Sequence, residues 1–519
     1  MAMNVRDKQE GLPTTQADHA LRTPVGEKVF LITLLIPLLV SLAFRVLLVF
    51  NRWFDPDEYE HLHFGWMVMK GYLPYRDFFE NHPPGLWYLL APLAALFDES
   101  SAYLFGSRIV MCLLTLAIFF MVYKLTFTGQ GYAVPLLSMV LLGVEVSFAW
   151  RTLEVRPDQV VILSWLLGAW LLVRSPEPIS RGAYGWSGLS AGVGLLFSPK
   201  AIFALASLGG ALLLLRPLAG SRVPEKKDIA LFVGMSLVLL ACLLLLMWSR
   251  DEGWPFLLVK QVLLYSVAYP ERFSGFRYFY PSLANAPVFW ACAAFGSLLA
   301  VRRFRRAESE REKRRLVIVA ASTVGAALAH FVFIPAPYPQ SLLPFITFLA
   351  VFGGECGGWI GESLLDLREY GKQRVLAIGL VVVLLVGSFH AFASNAYHLK
   401  PLTRTNREYV EWLMSVLQVT ARSDAILDGY AAYIFRPQAS FYGWLGMGLI
   451  KEIKSGVIKY DIPERCGVGG CPVIVLDRRL LQVAPWMNKL VQANYTPSSA
   501  QGVYLRRGIG NRDKGASGQ

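Results

Sequence analysis

Long uninterrupted apolar runs recur along the first three quarters of this chain, and a helix needs roughly 17 to 25 such residues to cross a bilayer. The runs fall near residues 28–51, 103–124, 131–149, 157–173, 184–197, 200–215, 229–248, 286–301, 316–334, 340–353 and 375–393. They predict a polytopic α-helical membrane protein with about eleven transmembrane helices, between about 9 and 13 at the bounds. Composition agrees, because 55% of the 519 residues are hydrophobic and only 17% charged, against about a quarter charged in an ordinary soluble domain. The apolar stretch 84–97 is too short to cross and carries two prolines. It reads as an interfacial or partly re-entrant segment.

Three regions follow: a cytoplasmic N-terminal tail at 1–27, a transmembrane domain at 28–393 with a first external loop at 52–102, and a soluble domain at 394–519. The tail is polar and the run after it is long enough to stay in the membrane as an anchor, so no cleavable signal peptide is expected. Lysine and arginine in short loops stay preferentially on the cytoplasmic side. The run RRFRRAESEREKRR at 302–315, with Arg174, Arg181, Arg216, Arg222, Lys226 and Lys227, falls on one side if the N-terminus is cytoplasmic and the spans alternate. The first loop and the C-terminal domain then lie outside the cell or in the periplasm, on a protein of the cytoplasmic (inner) membrane.

The net charge of +13 does not point to nucleic acid, since its densest run has this topological origin and anionic lipid headgroups account for much of the rest. The chain carries no zinc-finger spacing or nucleotide-binding glycine loop. Four of the six cysteines, Cys112, Cys242, Cys292 and Cys356, lie in or near spans, while Cys466 and Cys471 flank a glycine-rich loop where an oxidising compartment permits a disulfide. In the C-terminal domain, NREYVEWLMSVLQ places Tyr409, Trp412, Leu413 and Val416 on one helical face with Asn406 as a cap, and CPVIVLD and GVYLRR read as short strands. A small α/β domain fits.

The chemistry concentrates after the first run. In FDPDEYEHLH, Asp55 suits a helix cap, Pro56 its first position and Glu58 the third residue of a capping box. That leaves Asp57, a carboxylate placed to take a proton from an acceptor hydroxyl at the membrane surface. YRDFFENHPPGLW then offers Tyr75, Arg76, Asp77, Glu80, Asn81 and His82 before two stiffening prolines. A rigid, polar, non-helical segment at membrane depth has a reason to exist if it lines a site. RTLEVRPDQVV supplies Arg151, Glu154, Arg156 and Asp158, and LLFSPKAIF supplies Lys200. Arg156 and Lys200 suit a phosphate anion, one as a planar fork and the other as a point charge, with Asp158 orienting Arg156 or meeting the acceptor. Snorkelling to headgroups is the plainer account of both cations. FIPAPYPQSLLPF adds Tyr338, and the loop 249–285 adds Tyr265, Tyr269 and Arg272 as sugar-binding or covering residues.

These segments, DE after the first span, GYLPYRDFFENHPPGLWYLLAP, RPD and SPK, resemble the polyprenyl-phosphate-dependent membrane glycosyltransferases related to protein O-mannosyltransferases and to the aminoarabinose transferase acting on lipid A. The resemblance implies a GT-C-type fold and a lipid-linked sugar donor, and no further cofactor. It also implies a catalytic or acceptor-orienting role for Asp57, with Glu58 beside it. His82 occupies the position where aminoarabinose transferases carry a phosphate-contacting lysine, so phosphate recognition passes to Arg156 or Lys200, and a polyprenyl-phosphate hexose or pentose is the expected donor. Asp55 with Asp57 resembles the DxD pair that holds a divalent metal in some glycosyltransferases, but two oxygen ligands do not define a site, and the metal stays unassigned. The acceptor class, whether glycan, lipid or protein, is open. The competing class is a transporter or flippase for an amphipathic anion, which also wants intramembrane Arg and Lys.

Overall fold

The computed structural model describes residues 24–129, 131–219, 224–365, 372–400, 403, 405–460, 462 and 470–508. Its chain order begins with α1 (Pro24–Asn51), α2 (Pro56–Met69), α3 (Gly85–Leu96), α4 (Ser101–Thr126), α5 (Ala133–Val144) and α6 (Val146–Arg151). α7 (Asp158–Arg174), α8 (Arg181–Leu195), α9 (Ile202–Ala219) and α10 (Lys226–Arg250) follow.

The expectation of eleven spans is not met. Among the described residues, six helices are long and apolar enough to cross: Val29–Asn51, Ser101–Thr126, Lys226–Arg250, Glu310–Phe333, Pro339–Leu364 and Ile378–His398. A seventh is added if Phe276–Asn285 and Pro287–Arg306, bent by 100°, count as one span. The physical reason is length. α5, α7 and α8 hold 12, 17 and 15 residues, and at 1.5 Å per residue even the longest reaches only about 26 Å of a core about 30 Å thick. The run 131–149 is also broken in two, because Glu145 caps α6 by accepting the Phe148 N–H at 2.6 Å. α3, with 12 residues, is too short to cross.

α8 packs closely on α10 and on α7. The contact with α10 needs small residues, since a Cβ on Gly188 would lie 2.1 Å from the Phe232 carbonyl oxygen. Gly85 plays the same part for the site: its N–H donates to the Leu196 oxygen at 2.9 Å, and a Cβ there would approach that oxygen to 2.5 Å. The start of α3 is thereby joined to the end of α8. The basic run at 302–315 is partly drawn into the protein, with Arg315 and Arg303 reaching Glu355 at 2.9 and 2.8 Å and buried Arg314 donating to the Val173 oxygen at 3.2 Å.

The C-terminal domain packs the helix Arg407–Val419 against a sheet ordered β1-β2-β4-β3. β1 (Ile426–Leu427) runs parallel to β2 (Val473–Val475), which pairs antiparallel with β4 (Val503–Arg506), itself antiparallel to β3 (Tyr495–Pro497). β2 and β4 are the two expected strands. Leu413 and Val416 are fully buried, as the helical face requires. Asn406 stands at the cap position, yet its side chain donates to the Phe50 oxygen at 2.7 Å and so ties this domain to the end of α1. Cys471 is disulfide-bonded, while Cys466 lies outside the described residues.

Candidate functional site

The site is built on the start of α2. Asp55 accepts from the Asp57 N–H at 3.1 Å, and Glu58 accepts from the Asp55 N–H at 2.8 Å, the reciprocal bonds of a capping box. Glu58 does more. Arg108, in the first third of α4, grips it with Nε at 2.9 Å and Nη2 at 2.8 Å, and both side chains are wholly buried. The remaining Arg108 nitrogen donates to the Arg52 oxygen at 2.7 Å. Glu58 therefore anchors the helix start to the bundle and does not face the cleft.

Asp57 sits one residue away in a different setting. Arg156 Nη1 lies 2.7 Å from its carboxylate, Nη2 lies 3.0 Å from Asp55, and Nε lies 2.5 Å from Glu154. Glu154 also accepts from Arg52 at 2.6 Å and Arg151 at 2.8 Å. Lys200 reaches Asp158 at 3.1 Å. Arg52, Arg108, Arg151, Arg156 and Lys200 thus meet Asp55, Asp57, Glu58, Glu154 and Asp158, five cations on five carboxylates. Within this network Asp57 is the most open carboxylate, 30% exposed, against 18% for Asp55 and none for Glu58 and Glu154.

Electrostatics separate the two aspartates. Burial acts to raise the pKa of Asp57, but the Arg156 guanidinium foremost, with lesser contributions from His61 and then Arg479, holds the carboxyl below its ordinary value. Asp55 goes the other way, pushed up to about 6 by burial and by the negative charge of Glu154. The DPD pair is not arranged as a metal site, because Arg156 already occupies the position between its carboxylates.

The segment 74–85 folds over α2. Tyr75 takes a positive φ of 68°, a strained choice for a bulky residue, held by its hydroxyl donating to the His82 oxygen at 2.7 Å and by Gln261 donating to the Tyr75 oxygen at 2.8 Å. Gln261 Oε1 also accepts from the Glu80 N–H at 3.1 Å, and Trp254 Nε1 donates to the Pro74 oxygen at 2.7 Å. The loop 249–285 is in this way bonded onto the segment 74–85. Buried Glu80 accepts from the Asn81 N–H at 2.7 Å and meets His82 Nδ1 at 2.7 Å. Glu60, Glu80 and His82 each bring a ligand atom within 4.8 Å of the others and could hold a cation. A proton serves the pair equally well, since burial and then the charge of Glu80 push Glu60 well above the ordinary carboxylate range. Burial and then the His82 charge push His61 down to about 3, so its imidazole is neutral.

Other expected site residues are placed less centrally. Asp77 accepts the Leu73 N–H at 2.7 Å and pairs with Arg76, closing its own turn. Tyr265 stacks edge-on to Phe79 at 5.4 Å and to Tyr269 at 5.8 Å. Tyr338 donates to Glu271 at 2.5 Å, and Arg272 is exposed. Sequence reasoning missed Arg108, although an arginine inside an apolar span is by itself a signal of a buried partner. It also missed Glu60, although that residue lies within the FDPDEYEHLH run, and Arg479, for which no local signal exists.

A helical membrane bundle with a polar first loop over the span ends and a small C-terminal domain seated on that loop is the GT-C architecture. A family model described as dolichyl-phosphate-mannose-protein mannosyltransferase matches residues 81–248. Among solved structures, ArnT from Cupriavidus metallidurans bound to undecaprenyl phosphate is similar with a TM-score of 0.59 at 14% identity, over 88% of this chain and 94% of that one. The archaeal oligosaccharyltransferase AglB from Archaeoglobus fulgidus, in complex with an inhibitory peptide and a dolichol-phosphate, is similar with a TM-score of 0.55 at 11% identity, over 93% of this chain and 75% of that one. No curated protein matches the chain. At these identities the likeness is one of fold, a GT-C-like helical bundle with a small C-terminal domain.

Proposed function

We infer that the protein transfers a sugar from a polyprenyl-phosphate donor to an acceptor hydroxyl at the external face of the cytoplasmic membrane. The observation that carries this reading is the contrast between adjacent carboxylates: Glu58 is sealed against Arg108, while Asp57 is 30% exposed and fixed by Arg156. The matched family segment and the fold shared with ArnT and AglB support the donor class.

In this mechanism Asp57 accepts a hydrogen bond from the acceptor hydroxyl and takes its proton as that oxygen attacks the anomeric carbon. The bond from the anomeric carbon to the phosphate oxygen breaks on the opposite face, giving inversion in one displacement. Held below its ordinary pKa, Asp57 is ionised throughout the neutral range and orients the nucleophile at all times. Arg156 serves Asp57 more directly than it serves a phosphate, being engaged by three carboxylates. Lys200, 31% exposed beside Asp158, is the better-placed cation for the departing phosphate. A cytoplasmic N-terminus with the first loop and C-terminal domain outside puts both substrates on one side.

The test supplies radiolabelled polyprenyl-phosphate sugars and native membrane extract to protein in lipid nanodiscs. Label entering the extract with wild-type protein and not with Asp57→Asn supports the reading. Equal transfer by the variant removes Asp57 from the chemistry.

A further inference from the structure

The C-terminal domain reaches the site through its segment 428–446. The Phe79 N–H donates to the Phe441 oxygen at 2.8 Å, and His63 Nδ1 lies 2.8 Å from the Ile434 oxygen. Ile434, Phe435 and Trp444 pack into the same apolar cluster as Phe54, Leu62 and Phe64 of the first external loop. The segment is thus part of the wall over α2.

Arg479 stacks on two residues of this segment. Its guanidinium carbon lies 4.2 Å from the centre of the Tyr430 ring and 4.9 Å from that of Trp444, stacking that fixes the plane of the fork. Its backbone is fixed too, because Asp477 accepts from the Arg479 N–H at 2.7 Å and from the Gly429 N–H at 2.6 Å. Arg479 Nη1 and Trp444 Nε1 are both buried, and neither has a hydrogen-bond partner among the described residues. Two neighbouring donors without an acceptor are an uncommon arrangement, since a buried unsatisfied donor costs about 1–3 kcal/mol. Tyr430 and Trp444 belong to the segment that walls α2, with Trp444 packed on the cluster of Phe54 and Leu62, so Arg479 lies on the face of the domain turned toward the site. Two of the other residues expected to hold an anion are already engaged, Arg156 by three carboxylates and His82 by Glu80.

We propose that Arg479, with the Trp444 N–H beside it, binds an anionic group of the substrate, a phosphate or a carboxylate, so that the C-terminal domain contributes a cation to the site. This rests on the glycosyl-transfer reading for what the substrate is, and not for whether an anion binds. The donor phosphate and an anionic group on the acceptor share the chemistry, and binding measurements tell them apart.

The experiment immobilises the full chain in nanodiscs and measures, without turnover, retention of two probes: radiolabelled polyprenyl phosphate, and the anionic fraction of a phosphate-labelled native membrane extract. Arg479→Gln lowers retention of one probe by about tenfold or more, and the probe affected names the source. Arg479→Met keeps the stem against Tyr430 and Trp444, serves if the first variant does not fold, and gives the same loss. Unchanged retention of both probes by a folded variant overturns the proposal. Absence of sugar transfer by the wild-type protein would instead defeat the transferase reading while the retention result still decides the role of Arg479.

Discussion

Replacing Glu58 by Gln separates anchoring from chemistry at the start of α2. The substitution keeps the size of the side chain but removes the charge that Arg108 holds through two bonds of 2.9 and 2.8 Å, with both side chains at 0% exposure. Solvent screening does not soften the loss at such a site, and stripping one partner from a buried pair costs about 3–5 kcal/mol because the other charge stays behind in the dry interior. Weakening of the capping bond to the Asp55 N–H adds to this, a cap being worth about 1 kcal/mol. The expected total is about 4–6 kcal/mol. Denaturant unfolding in nanodiscs, followed by the fluorescence of the buried tryptophans, measures it. Turnover per folded molecule should stay within a few-fold of wild type, whereas Asp57→Asn should do the reverse, ending turnover with a small change in stability. A loss below about 1 kcal/mol for Glu58→Gln, together with lost turnover in protein that is still folded, would refute the assignment of Glu58 to the scaffold.

Glu154→Gln leaves Arg52, Arg151 and Arg156 short of their common carboxylate, and a destabilisation of at least about 3 kcal/mol is expected in the same unfolding assay. Gly85→Ala pushes a methyl group toward the Leu196 oxygen, 2.5 Å from the new carbon, and should cost about 1–3 kcal/mol with a lowered melting temperature. Asp55 titrates about 6 folded against 3.8 for the free group. The folded state therefore binds the extra proton between those values, and the Asp55 contribution falls as pH rises from about 4 to about 6. Asp55→Asn, which keeps the cap, should flatten stability against pH in that window, and a slope unchanged from wild type contradicts the assignment. Asp57 has the opposite sign, its lowered pKa giving stability that is present above the free value and lost as pH falls through the folded one.

Local features of this protein were readable and remote ones were not. The capping box of Asp55, Pro56 and Glu58 is a three-residue pattern that folds as written, and β2 and β4 follow from short runs of β-branched and apolar residues. Six of the expected spans also correspond to membrane-length helices. The count of eleven failed where hydropathy ignores chain breaks: Glu145 splits one run by capping α6, and α7 and α8 end at Arg174 and Leu195 before reaching bilayer length. At the site, sequence pattern brought forward Asp57, Arg156 and Lys200 because charges beside apolar runs stand out. It gave no means of seeing that Arg156 is spent on Asp55, Asp57 and Glu154. The pairing of Arg156 with Asp55 and Asp57 joins positions about a hundred residues apart, and the bond of His63 to the Ile434 oxygen spans most of the chain. Such contacts are set by the packing of the bundle and its C-terminal domain, and no periodicity in the chain encodes them.

The central claim is that Asp57 drives sugar transfer out of a polyprenyl-phosphate donor. It is tested most directly by measuring release of free polyprenyl phosphate from a panel of radiolabelled polyprenyl-phosphate sugars, in nanodiscs with native extract as acceptor. Release that depends on the sugar and on the acceptor, and that disappears in Asp57→Asn while the variant unfolds like wild type, is the predicted result. No release with any donor, accompanied by label crossing a sealed bilayer when the same protein is placed in vesicles, would contradict the account and make the chain a carrier of its lipid-linked substrate.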